Sequence, residues 1–167
     1  MSYKNKKVNL LCLSLLVIYM IIVFSMTLMP YMGEYTYERN YNLIPFASIK
    51  SYFESLKYNG FFSGGQPSMV AFINLFGNIG LLLPYGFLLP LAFPGRITFK
   101  KTVFTAFLMT TFIEVTQFFF LVSRRADIDD IIFNTLSAVI GYILYFIICH
   151  RHYKYYKEHK PNGKYFS

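Results

Sequence analysis

Charge is scarce in this chain. Of its 167 residues 14% are Asp, Glu, Lys or Arg against 55% apolar, and eight in all are acidic. The apolar residues run in blocks of bilayer-spanning length instead of alternating, which excludes an ordinary soluble domain. Cysteine is equally thin: Cys12 and Cys149 fall near the predicted cytoplasmic ends of their helices. No disulfide is expected there, and no metal-ligand spacing exists. A small-x-small cleavage site is missing after the first apolar block, where Ser25-Met26-Thr27-Leu28-Met29 stands. That predicts an uncleaved anchor, not a signal peptide.

What is present is a set of four apolar runs, each near the roughly 20 residues that cross a hydrocarbon core. They span about 8–29, 69–93, 102–122 and 127–149. The fold expected is all-α, a polytopic membrane bundle of four transmembrane helices forming one domain over 1–167, with a basic cytoplasmic tail at 150–167. The second run holds no charge, and its Gly77, Gly80, Pro84, Gly86 and Pro90 predict a kinked or partly unwound helix packed closely on its neighbours. At this length there is room for one bundle and short connections, without a separate catalytic domain.

Orientation follows from Lys and Arg. Lys4, Lys6 and Lys7 at the start, Arg96, Lys100 and Lys101 after the second run, and Arg151, Lys154, Lys157, Lys160 and Lys164 in the tail make eleven of the sixteen. All lie on one side of a four-span layout, so both termini are expected in the cytoplasm. The net charge of +8 then reads as an orientation signal and a basic tail beside anionic lipid, not as a nucleic-acid surface. His150, His152 and His159 are interleaved with Tyr153, Tyr155 and Tyr156, which suits a juxtamembrane segment resting on headgroups better than a metal site. In the long outer connection, Ser48 is expected to cap a short interfacial helix with Ile49, Phe53 and Leu56 on one face.

Four of the eight acids, Glu114, Asp127, Asp129 and Asp130, stand with Arg124 and Arg125 within 114–130, bounded by apolar runs. At about 1.5 Å per helical residue, Asn74, Asn78, Glu114, Gln117 and the stretch from Asp127 to Asn134 all reach the outer leaflet. Asp127, Asp130, Asn134, Ser137 and Gly141 step by three or four along one helical face. Asp127 suits an N-cap with Asp130 at the third helical position, and the arginines would neutralise them. Glu114 is different, because it lies about two turns inside its helix, where a bare carboxylate is strongly disfavoured.

Asn42-Leu43-Ile44-Pro45-Phe46, then Asn78 with Leu81-Leu82-Leu83-Pro84-Tyr85-Gly86-Phe87-Leu88-Leu89-Pro90, then Glu114-Val115-Thr116-Gln117, then Arg125-Ala126-Asp127-Ile128-Asp129-Asp130 through Asn134-Thr135, resemble the VanZ-like family of bacterial integral membrane proteins. The order and spacing of these motifs carry the resemblance over residues 42 to about 142. The chain departs from the family at Ser137-Ala138, where glycine is common, and ends in a basic tail without a further span. The resemblance implies a place in the bacterial cell membrane. It also implies a link to glycopeptide resistance, since the founding member is associated with low-level resistance to teicoplanin, which binds cell-wall precursors outside the membrane.

The function expected is a non-enzymatic envelope protein binding a lipid-linked wall precursor, or an antibiotic competing for it, at its outer face. Arg124 and Arg125 would meet phosphate or carboxylate, and Asp127, Asp129 and Asp130 would orient them or accept hydrogen bonds. Asn42, Asn78, Gln117 and Asn134 would supply neutral contacts. No cofactor is expected. One alternative is an intramembrane enzyme acting on a lipid phosphate or glycolipid, with Glu114 as general base and the aspartates holding a divalent cation. Against it, no outward His or Cys nucleophile is available. Another is a structural partner in a wall-synthesis complex.

Overall fold

The computed structural model describes residues 6–29, 41–59, 76–121 and 125–150. Its elements in chain order are helix α1 (Lys6–Leu28), strand β1 (Tyr41–Asn42), helix α2 (Ala47–Asn59), helix α3 (Leu83–Ala92), helix α4 (Phe99–Phe120), strand β2 (Ala126–Asp127) and helix α5 (Ile128–Tyr145), which continues as a π-helical turn over Phe146–His150. Three runs are long and apolar enough to cross a membrane: Lys6–Leu28, Phe99–Phe120 and Ile128–Cys149. The remaining apolar run, Phe76–Ala92, is shorter. Residues 69–75 of the second expected span lie outside the described residues, as do Asn74, Arg124 and the tail beyond His150.

The side chains are distributed as a bilayer demands. Leu11, Leu15, Ile18, Ile22 and Met26 of α1 and Phe104, Leu108, Phe112 and Phe119 of α4 face outward, while Thr102, Thr110, Glu114, Gln117, Asn134 and Ser137 are buried. Water would reverse this pattern, and hydrocarbon solvent selects it. The apolar core between the helices is made of Leu16, Val23, Leu82, Tyr85, Leu89, Ala106, Ile113 and Ala138.

The helical run Phe76–Ala92 breaks at Leu82, whose backbone (φ −104°, ψ 9°) leaves helical geometry. Pro84 explains the break: it has no amide to donate, and its ring crowds the carbonyl four residues back. The Leu82 amide turns sideways and donates to the Ser137 hydroxyl of α5 at 3.1 Å. The kink expected from sequence is present, and Ser137 satisfies it.

The tightest contact in the bundle is between α3 and α5. A Cβ on Gly86 would stand 2.1 Å from the Ala138 carbonyl oxygen, and one on Gly141 would stand 2.1 Å from that of Leu83. Backbones approach this closely only where side chains are absent. Gly77 and Gly80, expected to share in the close packing, have no described atom within 4 Å of a Cβ position. Of the glycines expected to pack closely in this run, the one that meets a neighbouring backbone is Gly86, on the far side of the break. Tyr19 of α1 donates its hydroxyl to the Leu81 carbonyl, fastening α1 to the same irregular stretch. Thr98 caps α4 by accepting the Lys101 amide at 3.4 Å.

Candidate functional site

The C-terminal end of α4 and the N-terminal end of α5 meet the segment that leads into α2. β1 and β2 pair in parallel, Tyr41 with Ala126 and Asn42 with Asp127. Two residues on each side suffice to bring Asn42 against the head of α5.

Asp127 is the N-cap of α5, and its Oδ1 accepts the Asp129 amide at 3.0 Å. The same oxygen accepts Asn42 Nδ2 at 3.0 Å, and Oδ2 accepts the Ser48 hydroxyl. The backbone amide of Asp127 donates to Glu114 Oε2 at 2.8 Å, so the carboxylate in α4 holds the first residue of the next helix. Asn42 also closes a local turn by accepting the Ile44 amide at 3.1 Å.

Asp129 points the other way. Its carboxylate accepts the amides of Phe46, Ser48 (3.0 Å) and Ile49 (3.4 Å), the first donors of α2. No acid lies in the first turn of α2 itself. A negative group from another helix therefore fills the place that a local cap would take, matching the positive end of the α2 dipole. Ser48, expected as that cap, is instead inside the helix, and its hydroxyl reaches Asp127. Phe46 adopts a left-handed backbone (φ 65°), unusual for an aromatic residue, while its amide is held by Asp129.

Other predicted residues scatter around this knot. Asn78 donates its side-chain amide to Asp130 Oδ1, joining the start of the broken run to α5. Gln117 turns toward α1 and donates to the Thr27 carbonyl at 2.9 Å, which makes it a helix-to-helix tie. Asn134 sits deeper, donating to the Thr110 hydroxyl at 3.4 Å while its Oδ1 meets no partner among the described residues. Arg125 is exposed, and among the described residues neither Asp127 nor Asp129 makes an ion pair with it. Among the described residues the two buried aspartates are thus met by amides, a hydroxyl and Asn42, and not by Arg125; Arg124, the other arginine assigned to them from sequence, lies outside the described residues.

Beside the knot lies a pocket of about 440 Å³ walled by Tyr41, Leu43, Val115, Phe118, Phe119, Ala126, Ile128 and Ile131, with Glu114 and Asp127 as the charged lining residues among those described. Its volume is in the range of small-molecule sites, which combine apolar walls with few polar groups.

The family model described as VanZ/LLP1 matches residues 16–149, most of the chain and all of the elements above except the ends. This chain belongs to the VanZ/LLP1 family. No curated protein and no solved structure matches it. Within this VanZ-like chain, the motif residues quoted from sequence converge: Asn42, Glu114, Asp127 and Asp129 share one hydrogen-bond network, and Asn78 with Asp130 borders it. Sequence reading missed Ser48 as a member of that network. The available signal was a helix beginning without an acid, whose amides require an acceptor from elsewhere.

Proposed function

We propose that this VanZ-like protein is a non-enzymatic, multi-pass protein of the bacterial cell membrane that binds an amphiphilic envelope ligand at its outer face. On this reading the chain crosses the membrane four times with both termini in the cytoplasm, α2 lies at the outer interface, and the pocket belongs to the outer leaflet. The ligand is a lipid-linked wall precursor or a glycopeptide antibiotic competing for it, which gives the family's link to teicoplanin resistance a physical route. Its apolar part rests on Val115, Phe118, Phe119, Ile128 and Ile131, and its polar part faces the exposed Arg125, next in sequence to the lining residue Ala126.

The observation that carries this reading is the 440 Å³ pocket, apolar in its walls and adjoining two buried carboxylates. Catalysis by a cation held on the aspartates is less well supported, because Asp127 and Asp129 already accept hydrogen bonds on every carboxylate oxygen. Native mass spectrometry of protein extracted from bacterial membranes tests the reading. A co-purifying amphiphile should be retained by the native chain and lost from Val115→Trp, whose indole fills the pocket. Equal retention by both would refute it.

A further inference from the structure

A second groove opens at the other end of α4. It has a volume of about 360 Å³ and is lined by Phe99, Lys100, Val103, Phe104 and Phe107 of α4 and by Thr135 of α5. Phe99, Val103 and Phe107 step by four, as do Lys100 and Phe104, so the α4 residues form two adjacent rows on one side of the helix. These rows run roughly 12 Å along the helix axis. The groove is therefore a trough that follows a membrane-spanning helix, with a volume in the range of ligand sites.

Its chemistry changes along its length. At one end Phe99 meets Tyr142 edge to face at 5.5 Å, and Tyr142 meets Tyr145 at 5.5 Å, a cluster of the kind that sits at headgroup level. Lys100 is exposed beside it. Further along, the walls are Val103, Phe104, Phe107 and Thr135, which suit a hydrocarbon chain. We propose that this groove seats one acyl chain of an anionic phospholipid, with Lys100 on the phosphate. The field at this end has the right sign, since Arg96 and Lys101 stand nearby in sequence and the first turn of α4 holds no acid against its dipole. The two lysines have separate tasks. Lys101 Nζ donates to the Arg96 carbonyl at 2.8 Å and braces the turn into α4, whereas Lys100 lines the groove. A zwitterionic lipid brings the same phosphate with an ammonium of its own, so the preference is for a headgroup with net negative charge.

Phosphatidylglycerol and phosphatidylcholine probes that carry the same diazirine on one acyl chain test the proposal. Each is added at equal low fraction to the full chain in phosphatidylcholine nanodiscs, irradiated, and mapped by peptide mass spectrometry. The glycerol lipid should label 99–107 about fivefold more than the choline lipid, the scale of preference that one lysine near a headgroup supplies. At Ile18, Ile21 and Ile22, exposed on α1, the two should label alike. Lys100→Gln should bring the ratio at 99–107 close to one, and Lys101→Gln should leave most of it. Val103→Trp, which fills the trough, should cut labelling there by both lipids. Gel filtration and melting temperature check that each variant is folded. Equal labelling of 99–107 by the two lipids in the native chain overturns the proposal. A ratio that falls as far with Lys101→Gln as with Lys100→Gln assigns the preference to diffuse surface charge and overturns the seat. Absence of label from 99–107 with both probes means that the tail or a second copy covers the groove, and overturns it as well.

Discussion

The Asp129 carboxylate, in the first turn of α5, accepts the backbone amide of Ser48 at 3.0 Å across 81 residues of sequence. One side chain thereby sets where α2 begins and ties the segment leading into it to the bundle. Asp129→Ala orphans the Phe46, Ser48 and Ile49 amides, at about 1–3 kcal/mol for a buried donor left unpaired. Trypsin should then cleave at the exposed Lys50 and Lys57 faster than in the native chain, with a lower unfolding midpoint in detergent. Asp129→Asn, which keeps one acceptor oxygen, should fall between the two.

The helix contact at Gly86 and Gly141 gives a second expectation. A side chain at either position runs into main chain, and main chain cannot rotate away as a flexible side chain can. Gly86→Leu or Gly141→Leu should lower folded yield sharply, with overpacking of roughly 1–3 kcal/mol as the least cost. Gly77→Leu should be tolerated. Fluorescence-detected gel filtration of the three variants reads this directly.

Ser137 is the acceptor that makes the α3 break tolerable. Ser137→Ala leaves the Leu82 amide unpaired in a residue with no exposed surface, so stability should drop by about 1–3 kcal/mol. Ser137→Thr keeps the hydroxyl and should lose less if the added methyl fits. Thermal unfolding in detergent distinguishes them.

Orientation is tested by labelling. In a chain cleared of Cys12 and Cys149, cysteine at Tyr58 should react with an impermeant reagent in intact cells. Cysteine at Lys100 should react only after the membrane is opened. Both native positions are exposed on the bundle, so accessibility depends on the side of the membrane.

Much of this arrangement was legible in the chain itself. Block length and charge scarcity gave the helices, and i,i+3 and i,i+4 spacing put Asp127, Asp130, Asn134, Ser137 and Gly141 on one face, of which all but the half-buried Asp130 are buried. Asp127 as N-cap followed from its position before an apolar run. The partner of Asp129 did not, because three aspartates in four residues diverge around a helix and only tertiary contact decides what the odd one meets. The partner of Gln117 was hidden for a related reason: its i,i+3 spacing from Glu114 names neighbours on its own helix, whereas the Thr27 carbonyl that accepts its side-chain amide belongs to another. Gly77 and Gly86 look alike in sequence, and the break at Leu82 decides which of them faces a neighbouring backbone.

The central claim is that the outer carboxylates divide their work: Asp129 holds the fold, and Glu114 serves a ligand. Glu114→Gln isolates it, because the amide oxygen still accepts the Asp127 N–H while the charge is gone. The decisive measurement is melting temperature and retained ligand mass on the same preparation of this variant, beside Arg125→Gln. Both variants should melt as the native chain does and lose the bound amphiphile. A Glu114→Gln protein that unfolds early yet still carries its ligand would contradict the account and return Glu114 to the scaffold.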